Sequence, residues 1–287
     1  MREIEEMTPL IELVNVKKYF KAGQGYLHAV DDVSLKIAEG RTLGIVGESG
    51  CGKSTLGRLS LRLLEASGGE VLYRGENILK FDARKMRGLR REMQIIFQDP
   101  FSSLDPRMSV FDIISEPLLE YKACGKRRAL EEKVVDLMET VGLAENYINA
   151  YPHEMDGGRR QRVGIARALA LEPKFVVCDE PVSALDVSVQ AQILNLIMDL
   201  QEAMGMAYMF ITHDLSVVKH ISTEIAVMYL GQCVETAPTE ELFQDPLHPY
   251  TRALLSAIPE PRIEKSERKI IRGEVSDPID PPPGCRF

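Results

Sequence analysis

Paired cysteines, a net positive charge and long apolar runs are all lacking in this chain, and each lack disfavours a class of function. Only five cysteines occur in 287 residues: Cys51, Cys124, Cys178, Cys233 and Cys285. They are scattered and form no Cys-x-x-Cys pair. Cys51 lies in a glycine-rich stretch and Cys178 ends an apolar run, so a disulfide framework is not expected; a reducing, cytoplasmic setting is. The net charge is -8, opposite in sign to a protein that coats a duplex, so no nucleic-acid partner is expected. No stretch approaches the roughly 20 apolar residues that span a bilayer. The opening Met1-Arg2-Glu3-Ile4-Glu5-Glu6 lacks the basic-then-apolar form of a secretory signal. If the chain serves a membrane process, another chain must supply the membrane part. What is present is ordinary globular composition, 45% hydrophobic and 27% charged. The length allows one large domain or two smaller ones, each with a real core.

Strand and helix patterns alternate. Ile11, Leu13 and Val16, then Val33, Leu35 and Ile37, read as short strands. Residues 42–46 form a short apolar run before glycines and predict a buried parallel strand. Residues 53–64 carry helical periodicity. A further strand pair is expected from residues 69–73 and 93–97. From 109 to 170 the pattern is helical, with helices expected over 112–121, 128–141 and 158–170. Residues 175–178 and 208–212 read as buried strands flanking an amphipathic helix over 187–203. Such alternation predicts an α/β fold with a mixed, largely parallel sheet, and a separate helical subdomain at about 99–170. After Pro238 prolines accumulate and charge clusters at 262–272, which predicts an extended appendage. The expected division is therefore 1–237 and 238–287.

Gly47-Glu48-Ser49-Gly50-Cys51-Gly52-Lys53-Ser54, with Thr55 next, matches the phosphate-loop pattern GxxxxGK[ST]. Several backbone N–H groups must converge on phosphate oxygens, and glycines permit that path. The following helix presents its positive end. Lys53 is expected to reach the β- and γ-phosphates, and the Ser54 hydroxyl to ligate Mg²⁺. Asp179 and Glu180 close the apolar run 175–178, where a ligand crevice forms in parallel sheets. Asp179 suits magnesium. Glu180, pointing differently, suits the attacking water. His213 ends another strand and can contact the γ-phosphate. Gln98 ends a third, and its amide can bond the water or Mg²⁺. Phosphoryl transfer demands mainly positioning and charge stabilisation, which these groups supply.

These residues, taken in order with Gly157-Gly158 and the segment 183–186, resemble the ABC ATPase family over about residues 10–235. The resemblance implies a phosphate-loop ATPase fold with an antiparallel β subdomain, and a dimer that sandwiches ATP between one chain's phosphate loop and its partner's signature segment. It implies an aromatic that stacks on adenine, with Phe20 as the match and Tyr19 beside it, and places Asp186 near the nucleotide. A narrower resemblance, to the oligopeptide, dipeptide and nickel importer ATPases, rests on 248–255, 283–287 and Phe97-Gln98-Asp99-Pro100. In that branch a cysteine-rich segment can hold an iron–sulfur cluster. Cys285 alone cannot supply a ligand set that normally takes four thiolates, so no cluster is expected.

The signature departs from the family form. Leu-Ser-Gly-Gly-Gln becomes Met155-Asp156-Gly157-Gly158-Arg159. An ionised Asp has no donor for a γ-phosphate and repels it by about 4 kcal/mol at about 4 Å in an effective dielectric near 20. A single hydrogen bond is worth only about 1 kcal/mol. Arg159 can offset part of this. The expectation is a heterodimer with a second ABC ATPase subunit, in preference to a homodimer. With membrane permease subunits, it would sit peripherally at the inner face of the cell membrane and drive import of peptides, nickel or a related solute. The alternative is an ABC ATPase of a soluble assembly that remodels or activates an enzyme or metal cofactor. A signalling GTPase is disfavoured, because no Asn-Lys-x-Asp motif is suitably placed.

Overall fold

A computed structural model of the protein describes residues 9–257, 278–282 and 284–287. The charged stretch 262–272 therefore lies outside the described residues. In chain order the elements are β1 (Pro9–Ala22), β2 (Gly25–Ala38), β3 (Thr42–Val46), α1 (Lys53–Ser60), β4 (Gly68–Tyr73), β5 (Glu76–Asn77), α2 (Ala83–Leu89) and β6 (Met93–Ile96). Next come α3 (Pro100–Ser103), α4 (Val110–Glu120), α5 (Arg127–Thr140), α6 (Gly157–Leu169), β7 (Phe175–Asp179), α7 (Val187–Met204) and β8 (Ala207–Ile211). The last are α8 (Leu215–Ile221), β9 (Glu224–Tyr229), β10 (Gln232–Pro238), α9 (Thr239–Gln244) and α10 (Pro249–Ser256). The chain forms two compact units, one of Met1–Phe81 with Met209–Phe287, the other of Asp82–Tyr208.

The first unit holds an antiparallel sheet of order β2-β1-β4-β5. The expected short strands 11–16 and 33–37 belong to one long hairpin, in which Ile11 faces Ile37, Leu13 faces Leu35 and Val16 faces Val33. The three-residue step from Leu13 to Val16 is a bulge. Asn15 adopts φ 48° there, and its N–H donates to Ser34 Oγ at 2.8 Å. The extra residue restores the inward face, so all six apolar side chains stay buried. A second sheet segment has the order β10-β9-β3, with residues 209–211 of β8 beside β3. β3 and β9 are parallel, with Leu43 opposite Glu224. Val46, Leu215, Val218, Ile225, Val227, Leu242 and Tyr250 share one buried cluster.

Four departures from the expected pattern appear here. Residues 69–73 and 93–97 do not pair with each other. β4 joins β1 antiparallel and β6 joins β7 parallel, because α2, capped by the Asp82 side chain, redirects the chain between them. β9 and β10 were not foreseen as strands. Their hairpin turns through Leu230 at φ 42° and Gly231 at φ 84°, a primed-type turn without the usual Asn-Gly signal. Third, the segment after Pro238 is not merely extended. Pro249 stands at the first turn of α10, with the His248 side chain accepting the Tyr250 N–H at 3.2 Å, a position where proline favours a helix. Helix α1 also ends at Ser60, short of the expected Leu64, because Arg62 turns to φ 48°.

In the second unit β7 lies between β6 and residues 207–208 of β8. The helices α4, α5 and α6 pack together. A reciprocal cap of Ser109 and Asp112 starts α4. Among the described residues no helix is long and apolar enough to cross a membrane.

Candidate functional site

In the first unit every residue of β3 is buried, and the strand stops at Val46. Gly47 follows with φ 151° and Gly52 with φ 103°. A Cβ at Gly47 would sit 2.2 Å from the Met228 carbonyl oxygen, and one at Gly52 2.0 Å from that of Ala29. Backbone oxygens cannot yield, so only glycine fits. As N-cap of α1, Gly52 offers no side-chain acceptor. The first N–H groups of the helix, with the positive end of its dipole, are then suited to an anion. Ser54 and Thr55 lie half-buried on that first turn. Glu48, Ser49 and Gly50 form the exposed rim of the loop.

Lys53 is only 4% exposed. Its Nζ donates to the carbonyls of Gly47 and Glu48 at 2.8 Å each. The ammonium is thereby held inside the curve of the loop. Cys51 is buried behind it, and burial pushes its thiol up despite the nearby Lys53. Its role is packing, because a thiol kept protonated is a poor nucleophile. Two tethers hold the loop from outside. The Glu48 N–H donates to the Tyr250 hydroxyl at 3.2 Å, and the Gly231 N–H donates to the Cys51 carbonyl at 2.9 Å. His213 is exposed one residue beyond Thr212, whose N–H donates to Ile45 of β3 at 3.1 Å. The ends of β8 and of the strand that feeds the loop are therefore adjacent.

The aromatic candidates on β1 diverge, as successive side chains of a strand do. Phe20 is 37% exposed, with Lys18 Nζ 5.0 Å over its ring. Tyr19 donates its hydroxyl to Asp31 Oδ1 at 2.5 Å and stacks on His28 at 4.0 Å. The Asp31 N–H donates to Gly231 O at 2.8 Å, and Gly231 in turn binds Cys51. The chain of bonds to the phosphate loop thus runs through Tyr19, and Phe20 lies outside it.

In the second unit the register of β6 and β7 sets Ile96 opposite Cys178. Two residues further along each strand stand Gln98 and Glu180. The Gln98 amide donates to Glu180 Oε2 at 2.9 Å. Asp179 ends β7 at 3% exposure, whereas Glu180 is half-buried. Glu180 takes φ 45°, a left-handed conformation that a residue other than glycine adopts at a cost. Ser183 closes the turn by bonding its hydroxyl to the Glu180 carbonyl at 3.1 Å.

Asp156 is the N-cap of α6. Its Oδ1 accepts the Arg159 N–H at 2.8 Å, and its Oδ2 pairs with the Arg159 guanidinium at 2.6 Å. That guanidinium also lies 4.9 Å over the Tyr147 ring. Arg159 thus pairs with Asp156, and the carboxylate spends both oxygens on it. Met155 is buried. A Cβ on Gly158 would come 2.6 Å from Val189 of α7, and one on Gly157 3.0 Å from Leu185, so the two glycines also let α6 pack closely. Asp186 caps α7 through the Val189 N–H at 3.0 Å. Pattern reading overlooked Tyr250, Asp31 and Arg286. The family-like tail segments 248–255 and 283–287 were the available signal for two of them.

Comparison with known proteins gives consistent matches. A sequence model of the family described as "ABC transporter" matches residues 30–183, and one described as "Oligopeptide/dipeptide transporter, C-terminal region" matches 234–287. The chain is 49% identical to the dipeptide transport ATP-binding protein DppF of Haemophilus influenzae, over 99% of its own length and 89% of the relative's. It is 50% identical to the oligopeptide transport ATP-binding protein OppF of Escherichia coli, over 99% and 86%. With OppF of Bacillus subtilis the identity is 54%, over 88% and 83%. Among solved structures it resembles the dimeric bacterial ABC transporter cassette MJ0796 and that cassette's post-hydrolysis state bound to ADP and Pi. Each matches with a TM-score of 0.73 and 29% identity, over 80% of this chain and 98% of that one.

Proposed function

The chain belongs to the ABC transporter family as an ATP-hydrolysing subunit, and from that premise we propose that it energises peptide import as one member of an unlike ATPase pair. The observation that carries the ATPase reading is the loop, fixed by Gly47 and Gly52 at positions only glycine fits, around the buried Lys53 ammonium. Its residues 47–55 bind the ATP phosphates through backbone N–H groups and Lys53. Of the two aromatic candidates, Tyr19 receives the adenine, because its bonds lead to the loop.

The acids and amides divide the chemistry. Glu180, oriented by Gln98, accepts the proton of an attacking water. The water oxygen bonds to the γ-phosphorus as the bond to the β,γ-bridging oxygen breaks, giving ADP and phosphate. His213 donates to a γ-phosphate oxygen, and Lys53 neutralises developing charge. A hydroxyl, a carboxylate and an amide oxygen from Ser54, Asp179 and Gln98 are the hard donors that Mg²⁺ prefers. Burial of the Asp179 carboxylate favours a nearby cation. When bound, the ion polarises the phosphoryl oxygens.

The unlike pair follows from Asp156. A carboxylate already committed to Arg159 has no hydrogen to give a partner's γ-phosphate. A partner with a serine there would serve this chain's ATP, while the second site binds with little turnover. The relatives' printed names, dipeptide and oligopeptide transport ATP-binding proteins, support peptides as the cargo, and membrane permeases are the proposed companions. The chain would then work peripherally at the inner face of the membrane. Affinity purification of the native complex is the test. A second, different ATPase subunit and two permease chains are expected; recovery of only the homodimer with full activity would overturn the pairing.

A further inference from the structure

Residues 278–282 and 284–287 lie in the first unit, where they contact β2 and the β9–β10 hairpin. The His28 N–H donates to Pro278 O at 3.1 Å, the Asp280 N–H donates to Tyr26 O at 2.9 Å, and Leu27 bridges Ile279. Arg286 is 7% exposed. Its guanidinium donates to the Asp31 carboxylate and the Leu230 carbonyl, and lies 3.4 Å from His28 Nδ1. Phe287 packs on Tyr229 and Tyr250 at 5.6 and 5.7 Å. A guanidinium this deeply buried is costly to place and needs its carboxylate.

Asp31 joins that guanidinium to Tyr19. One Asp31 oxygen holds the Tyr19 hydroxyl, and the other holds Arg286. One face of the Tyr19 ring rests on His28. These two contacts restrain both torsions of the Tyr19 side chain. Burial, with Asp31, pushes the Tyr19 phenol up to about 12, so it stays a donor. We infer that Arg286 is a positioning residue for the nucleobase: acting through Asp31, it fixes the Tyr19 ring as the surface on which adenine stacks. This rests on the reading that residues 47–54 hold the ATP phosphates. A stacked base contributes on the order of 1–3 kcal/mol, and a ring free to swing forfeits part of it.

Calorimetric titration of the full chain with two probes tests the inference. One is a non-hydrolysable ATP analogue, AMP-PNP; the other is inorganic tripolyphosphate, which lacks a base. The wild type is expected to bind both. Arg286→Ala should weaken AMP-PNP about tenfold, the scale of a partly lost base–aromatic stack, and leave tripolyphosphate within about twofold. Arg286→Lys should recover only part, because an ammonium lacks the planar fork. Equal weakening of both probes, or no change in either, would overturn the inference. A wild type that binds neither probe would instead bring down the phosphate-loop reading, and this inference with it. Should Arg286→Ala fail to fold, Tyr19→Phe keeps the ring and removes only its tether. It should show the same selective loss of AMP-PNP, and an unselective or absent loss there would overturn the inference.

Discussion

At Asp156 one carboxylate caps a helix and pairs with an arginine, so its replacement touches stability and chemistry separately. Asp156→Ser keeps a good N-cap and adds a hydroxyl donor, so the melting temperature should hardly move while ATP turnover of the purified chain rises at least severalfold. Asp156→Ala should cost about 1 kcal/mol by denaturant titration, the ordinary loss of a cap, with no such gain in turnover. Glu180→Gln removes the proposed proton acceptor. Single-turnover hydrolysis should fall by about a hundredfold or more, the scale of a lost general base, with nucleotide binding retained. Asp31 offers a test in pH. Burial alone would raise its carboxyl, but the Tyr19 hydroxyl, Arg286 and His28 outweigh burial and hold it below the usual carboxylate value. A group depressed in the folded state stabilises above its unfolded value, about 3.9, and that stabilisation fades as the pH falls through the folded value. The melting-temperature gap between wild type and Asp31→Asn should therefore stand at about pH 5 and close below about pH 4.

Among the elements, the phosphate loop is the most constrained. Gly52→Ala would press a methyl group against the Ala29 carbonyl at a φ that alanine avoids. A loss of 2 kcal/mol or more and failure to bind tripolyphosphate are expected from thermal melts and calorimetry. This loop was legible in the sequence because phosphate chemistry dictates residue types at fixed spacing. So were the acids after β7, because a buried strand ending in two carboxylates is an unusual pattern. Strand partners were not legible. Nothing in the residues of β4 and β6 says which neighbour each will take, and that choice is made by the helix between them. The β9–β10 hairpin hid behind a Leu-Gly turn, and α10 behind prolines that elsewhere mark extended chain. The Arg286–Asp31 contact spans 255 residues, beyond the reach of any local pattern.

For the whole molecule, family membership makes the chain one part of a larger ATPase. On the proposed pairing its signature segment would serve another subunit's nucleotide, and activity measured alone would understate what the assembly does. Adding a partner subunit that carries the ordinary serine should raise ATP turnover well above that of either chain alone; simple additivity would count against the unlike pair. The five thiols are graded in a way that helps such experiments. Cys51 and Cys178 are buried and pushed up by burial, while Cys285 is exposed beside the inserted Arg286. A maleimide fluorophore attached there would sit at the end of the returning segment. Detachment of that segment from the hairpin could then be followed as a change in brightness, with no cysteine introduced by mutation.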